Sequence, residues 1–409
     1  MDIQSKGRSP FYPGQPVPVE LFTGRKEQIG RIERAASQVA KGKPQSIFLR
    51  GEYGIGKSSL AGYARRLLEK ECGLFGIQVL LGGAKTLEDL SLRTVESLLK
   101  PKEYEPAGID NIRNALSRYV ESVEFFGITI NLKNLKEDSP RIARGYLPFL
   151  HSLLERLKGE KYKGIFLILD EINGIASNPD FAFFIKTLVD ENALNDKPLP
   201  LLLMLCGVEE RRTEMINAHQ PIDRIFDIVE IGRLMNFEMK DFFTKAFTSV
   251  NTSVEEDAMR FICTLSSGFP KLMHLIGDAV YWKDTDNKIS LTDATQGSID
   301  AAVEFGQKFV DKQVLNALQS EDYRSILKKL SAKLMFDISI SFQKASIVEV
   351  LTENEKAKFN NFLQRMKKLR VLNSGEIKGE YIFNNRLIPL YIWLKYPAKK
   401  SEQLSKIEA

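Results

Sequence analysis

The chain of 409 residues is poor in the side chains that cross-link or bind soft metals: it has 3 cysteines, 3 histidines and 2 tryptophans. Cys72, Cys206 and Cys263 are isolated and form no CxxC pair. That excludes a disulfide framework and a cysteine-ligated zinc module, and suits reduced, mostly buried thiols. His151, His219 and His274 are equally scattered, which excludes histidine-rich metal chemistry. No run of about twenty apolar residues occurs, so no membrane-spanning helix and no membrane partner are expected. The opening Met1-Asp2-Ile3-Gln4-Ser5 has no apolar signal core, and a cytoplasmic protein is expected. Internal repeats and low-complexity tracts are missing too.

What is present is a globular composition, 43% hydrophobic and 27% charged, with length for two or three domains. The net charge of +5 is uneven: residues 320–409 carry 17 Lys and Arg against 10 Asp and Glu, and the remainder 41 against 43. A polyanion-binding surface is therefore sought at the C-terminal end, although a solvated surface accounts for so modest an excess nearly as well.

The most specific pattern is Gly51-Glu52-Tyr53-Gly54-Ile55-Gly56-Lys57-Ser58, a complete G-x-x-x-x-G-K-S phosphate loop. It follows the apolar run Ser46–Arg50 and opens a helical stretch from Lys57 to Lys70, and this strand–loop–helix setting makes the pattern a site. Gly51, Gly54, Ile55, Gly56, Lys57, Ser58 and Ser59 are the expected nucleotide-binding residues. Glycines let the backbone wrap an anion, and amides at the helix start point at it. Lys57 reaches for the β- and γ-phosphates, and the Ser58 hydroxyl for Mg²⁺.

The second half of such a site needs an acid for Mg²⁺ and a group that orients water, both at the C-terminal end of a buried strand. Gly164-Ile165-Phe166-Leu167-Ile168-Leu169-Asp170-Glu171 fits. Asp170 is the expected metal ligand beside Ser58, and Glu171 the expected base. Two acids capping a strand before an Asn173-Gly174 turn is the plainer alternative.

Further strands are expected at Phe75–Leu81 and Pro198–Gly207, and helices at residues 26–41, 86–100, 109–120 and 141–158. Alternating strands and helices imply an α/β fold with a parallel sheet. After Glu238 helical spacing takes over, and no strand is expected until the C-terminal segment. There, helices near 320–334, 341–351 and 353–369 precede a hairpin, Val371–Ser374 with Glu380–Phe383, and a last helix at 386–396: winged-helix order. The expected division is an N-terminal arm over 1–20, an ATPase core over 21–237, a helical lid over 238–312, a winged-helix-like domain over 313–400 and a tail over 401–409.

Together, Phe22-Thr23-Gly24-Arg25-Lys26-Glu27, the phosphate loop, Leu169-Asp170-Glu171 and Gly268-Phe269-Pro270-Lys271 resemble an AAA+ P-loop ATPase of the origin-recognition and replication-initiator branch. The likeness covers about residues 10–285, by the spacing of these motifs. It implies a parallel-sheet core, an all-helical lid, a C-terminal winged helix, ATP and Mg²⁺ as cofactors, and self-association through the nucleotide interface. It places Arg25 near the adenine, with Val17 and Phe22 in an apolar adenine wall; a simply packed arm is the equal alternative. It places Lys271 as the basic lid residue facing the γ-phosphate, where relatives usually carry Arg. It puts Cys206 where relatives often carry a polar sensor, a departure that implies slow hydrolysis. Of Arg211, Arg212, Arg224 and Arg233, Arg224 is preferred as the arginine finger toward a neighbouring subunit; a surface Asp223–Arg224 pair is the alternative.

On the C-terminal segment, Lys356, Lys358, Arg365, Lys367, Lys368 and Arg370 stud one helix and Lys378 the hairpin, as phosphate contacts require. Phe359, Phe362, Leu363, Met366 and Leu369 form the apolar face of the same helix, so its cations are also simply the solvent face. The expectation is an ATP-dependent switch that assembles and engages double-stranded DNA. A signalling or anti-phage-defence ATPase that recruits a protein effector, and a transposition-type ATPase forming filaments on DNA, are the alternatives.

Overall fold

The computed structural model describes residues 6–14, 22–99, 124–125, 128–129, 139–157, 162–337 and 340–396. Val17, the expected helix at 109–120 and the tail from 401 lie outside them. The chain divides into two compact units, Pro16–Gly232 and a second made of Met1–Gln15 with Arg233–Ala409.

The first unit is built on a five-stranded sheet. In chain order its elements are α1 (Lys26–Val39), β1 (Gln45–Gly51), α2 (Lys57–Cys72), β2 (Leu74–Leu80), α3 (Leu87–Leu99), a short antiparallel pair β3 (Glu124–Phe125) and β4 (Ile128–Thr129), α4 (Ser139–Leu157), β5 (Gly164–Asp170), α5 (Pro179–Leu194), β6 (Leu201–Gly207), α6 (Glu209–Ala218), a 3₁₀ turn (Gln220–Ile225) and β7 (Asp227–Ile231). The sheet order is β2-β5-β6-β1-β7, and every pairing in it is parallel. β5 and β6 are buried at every position, which is why they read as unbroken apolar runs and not as alternating ones. The register sets Leu49 beside Cys206, Leu169 beside Leu205 and Leu80 beside Asp170. The C-terminal ends of β1, β6, β5 and β2 thus lie in a row, the edge where open α/β sheets place their ligands. Beneath them the core holds Phe48, Tyr146, Phe166, Phe181 and Phe184, all fully buried. The one polar group among these, the Tyr146 hydroxyl, is paired at 2.9 Å with the Thr94 hydroxyl.

In the second unit, α7 (Asn236–Thr248), α8 (Glu256–Ser266), α9 (Pro270–Lys283) and α10 (Leu291–Phe305) form a helical group, and α10 runs on as a π-helix over Gly306–Leu315. Residues 6–14 bind to this group. Phe11 enters a cluster of Phe242, Phe243, Phe247 and His274, edge-on to Phe247 with ring centroids 5.0 Å apart. The Tyr12 amide donates to His274 Nδ1 at 3.1 Å, the Tyr281 hydroxyl donates to the Gly7 carbonyl at 2.9 Å, and Lys6 pairs with buried Asp284.

The rest is α11 (Glu321–Asp337), β10 (Ser341–Gln343), α12 (Lys344–Val348), α13 (Glu353–Lys368), β11 (Leu372–Ser374), β12 (Glu380–Phe383) and α14 (Leu387–Lys395). β10-β12-β11 is a three-stranded antiparallel sheet. Its core contains Phe359, Phe362, Leu363 and Met366 of α13, the apolar face expected from the sequence. Tyr391 packs on the bare backbone of Gly306 and its hydroxyl bonds Asp311, so this aromatic ring is structural.

Two expectations are corrected. The segment expected as a helix from Ser341 begins as a strand, because Phe342 stacks on Tyr381 of β12, some forty residues later in the chain. The stretch after Glu238 is not strand-free: β8 (Ser253–Val254) pairs in parallel with β9 (Lys288–Ile289). Two-residue strands carry too little periodicity to be read from sequence.

Candidate functional site

The phosphate loop leaves β1 at Gly51 and turns into α2 at Lys57. Gly54 and Gly56 take φ values of 76° and 99°, the left-handed region that L side chains rarely adopt. A side chain at Gly51 would meet the Ile231 carbonyl at 2.9 Å, so the loop lies close against the end of β7. No side chain caps the N-terminus of α2. Its first-turn amides, with the positive end of the helix dipole, are left to an outside acceptor such as a phosphate.

Lys57 is half-buried, and its Nζ donates to the carbonyls of Gly51 (2.9 Å) and Glu52 (2.8 Å). Burial lowers the pKa of the ammonium, opposed by the field of Asp170 and Glu171. The lysine and both acids therefore sense one another across the ends of β1, β5 and β6.

Asp170 is 1% exposed. Burial raises its pKa, while hydrogen bonds from the Ser58 hydroxyl, the Gln78 amide and the Glu171 backbone favour the carboxylate. The Gln78 Nε2 distance is 3.3 Å and the Glu171 amide distance 2.9 Å. Ser58 and Asp170, expected as one metal-binding pair, are in contact. Magnesium usually takes one or two protein oxygens and completes its shell with water and phosphate, and this pair suits that demand. Glu171 follows in the left-handed region, φ 57°, with its side chain exposed. Cys206 is fully buried beside Leu49; burial pushes its thiol pKa well up, and the thiol hydrogen-bonds Asp170.

Arg25, expected near the adenine, meets the phosphate loop. It is 8% exposed, its backbone is left-handed at φ 63°, and its guanidinium donates to the carbonyls of Gly232 (2.6 Å) and Ile55 (3.1 Å). It clamps the phosphate loop to the last residue of the first unit. Phe22 stacks on Tyr63 of α2, 4.5 Å between centroids and 16° between planes. Ser59 lies in the first turn of α2, and Ile55 is buried.

Of the four arginines considered, Arg211 pairs with Glu214, and Arg212 with Glu209 and Asp223. Arg233 bonds the Asn384 carbonyl and lies over Phe269. Arg224 is exposed on the 3₁₀ turn and makes no hydrogen bond or ion pair among the described residues. Its neighbour Asp223 pairs with Arg212. Lys271 is exposed in the first turn of α9, in the second unit.

Sequence reading missed Gln78, which touches Asp170 from β2. Its signal was a lone polar residue in the apolar run Phe75–Leu81.

Residues 21–212 match the family model described as AAA ATPase domain. No curated protein sequence matches the chain. Among solved structures, the Walker-type ATPase PABY2304 of Pyrococcus abyssi superposes with a TM-score of 0.53 at 15% identity, over 91% of this chain and 96% of that one. The ORC2 protein of Aeropyrum pernix gives 0.54 at 13% identity, over 91% and 94%. With the parallel sheet and the phosphate loop at its edge, residues 21–212 of this chain are an AAA ATPase domain of the P-loop class.

Proposed function

We propose that the protein is an ATP-dependent switch that hydrolyses ATP slowly, assembles with copies of itself and engages double-stranded DNA. The observation that carries the reading is the meeting of Lys57, Ser58, Asp170 and Glu171 at one sheet edge. The ORC2 protein of Aeropyrum pernix, alike in fold, was solved with ADPNP and ADP.

In this reading the loop amides and Lys57 hold the phosphates, with Lys57 exchanging the Gly51 and Glu52 carbonyls for phosphate oxygens. Ser58 and Asp170 hold Mg²⁺, which when bound neutralises charge on the phosphates. Glu171 orients the attacking water and accepts its proton. Arg224, exposed and without an ion pair among the described residues, serves as the finger toward a second copy, where a cation stabilises transition-state charge. Lys271 serves as the lid's contact to the γ-phosphate, with one point charge in place of a guanidinium fork. Cys206, a buried neutral thiol, offers no polar sensor, which suits a slow clock. The proposed domains are the core over 21–237, the lid over 238–312 and a winged-helix-like domain over 313–400. The order helix, strand, two helices and two strands supports the last.

For DNA, the fold narrows the basic surface. Lys356 pairs with Glu353, Lys358 with Asp322, and Arg365 donates to the Ala317 carbonyl. Lys368 and Lys378 are the better phosphate contacts, since neither is so engaged among the described residues. Titrating a labelled duplex at two salt concentrations, with and without MgATP, tests this. Salt-sensitive binding that requires ATP and weakens in Lys368→Glu supports DNA engagement. Absence of binding in every condition replaces it with docking of a protein effector.

A further inference from the structure

The carboxylate of Glu171 lies against main chain of the loop between β2 and α3. Its backbone is left-handed, so the usual strand direction does not set where the side chain goes. The carboxylate makes no hydrogen bond among the described residues, so its position rests on what it packs against. That neighbour is Gly82, in the loop between β2 and α3: a Cβ there would lie 2.4 Å from Glu171 Oε2. Contact also runs the other way, since a Cβ on Gly174 would lie 2.4 Å from the Ala84 carbonyl oxygen. The two loops are seated into each other at a glycine on each side.

The Gly82 loop is pinned. Arg93, on α3, donates from Nη1 to the carbonyls of Leu80 and Gly82, both at 2.8 Å. The Leu81 amide donates to the Asp170 carbonyl at 2.7 Å, and Asn178 Nδ2 to the Lys85 carbonyl at 3.0 Å. Gly82 is not in the left-handed region, so its own backbone would accept alanine; the obstacle is Glu171 alone.

We propose that Arg93 and Gly82 are positioning residues for the hydrolytic step: Arg93 fixes the loop, and the bare Cα of Gly82 leaves the place where the Glu171 carboxylate must lie. This rests on the hydrolysis reading above. A base displaced by about 1 Å costs up to about a hundredfold in rate.

The test uses the full chain, with ATP affinity and steady-state turnover measured separately. Gly82→Ala lowers kcat by about tenfold or more and leaves ATP affinity within about twofold. Arg93→Ala does the same, and Arg93→Lys, which keeps a donor near both carbonyls, recovers part of the rate. Retained ATP affinity shows that each variant is folded. If the wild type turns over and Gly82→Ala or Arg93→Ala matches it, the inference is wrong. A wild-type chain that binds ATP and never hydrolyses it removes the hydrolysis reading, and this inference with it.

Discussion

Arg25 separates two accounts of the segment before the core. The sequence resemblance set it near the adenine, whereas its guanidinium ties the Ile55 carbonyl of the phosphate loop to the Gly232 carbonyl. Replacing it with alanine removes two hydrogen bonds from a charged donor, each worth about 1.5–3 kcal/mol. It also leaves the Ile55 carbonyl, on a residue 1% exposed, without that partner. If the loop must recover the energy of one such bond to take its binding shape, affinity falls by about 10- to 150-fold. A clamp on the loop serves the phosphates and is blind to the base. Calorimetry with ATP and with inorganic tripolyphosphate in parallel therefore shows a similar fold-loss for both in Arg25→Ala. Unchanged tripolyphosphate affinity with a loss confined to ATP would refute the clamp and return Arg25 to the adenine.

Other consequences follow from the second unit. Phe11→Ala empties an aromatic cluster and costs about 3–5 kcal/mol; amide exchange at Tyr12, whose N–H donates to His274, accelerates by at least about a hundredfold if the arm is released locally. Exchange as slow as in the wild type would show that the arm is held without Phe11. Glu355, 3% exposed, closes a capping box with Thr352 and pairs with Lys329. Burial pushes its carboxyl up, but the bonds from Lys329, Ser325 and the Thr352 amide overcome this and hold it at about 2, against an ordinary 4.5. A depressed folded-state value means stabilisation that is complete above the ordinary glutamate range and fades as pH falls toward the folded value. Urea unfolding of wild type and Glu355→Gln should show a gap of about 1–3 kcal/mol at neutral pH that closes in acid; a gap independent of pH would contradict the assignment.

Much of the fold was legible because its signals are local. β5 and β6 are unbroken apolar runs, buried along their whole length. The phosphate loop declares itself through glycine spacing and the Lys-Ser pair, and the face of α13 through Phe359, Phe362, Leu363 and Met366 at helical intervals. What escaped depends on partners distant in the chain. Phe11 looked like part of an extended arm, since the rings that hold it lie more than two hundred residues later. The sequence of β10 predicts a helix because its reason to be extended, the pairing with β12, comes after two intervening helices. The same holds at the site. Lys57, Ser58, Asp170 and Glu171 were readable from motif chemistry, yet Gln78 and Arg93 were not: Gln78 meets Asp170 from the neighbouring strand, and Arg93 turns back from α3 onto carbonyls of the preceding loop, contacts that no spacing rule marks.

Calorimetric titration of the full chain with MgATP, comparing wild type, Lys57→Ala and Glu171→Gln, tests the central claim most directly. Saturable binding in the wild type, its loss in Lys57→Ala, and its retention without turnover in Glu171→Gln are the predicted results. Equal ATP affinity in wild type and Lys57→Ala would contradict the account.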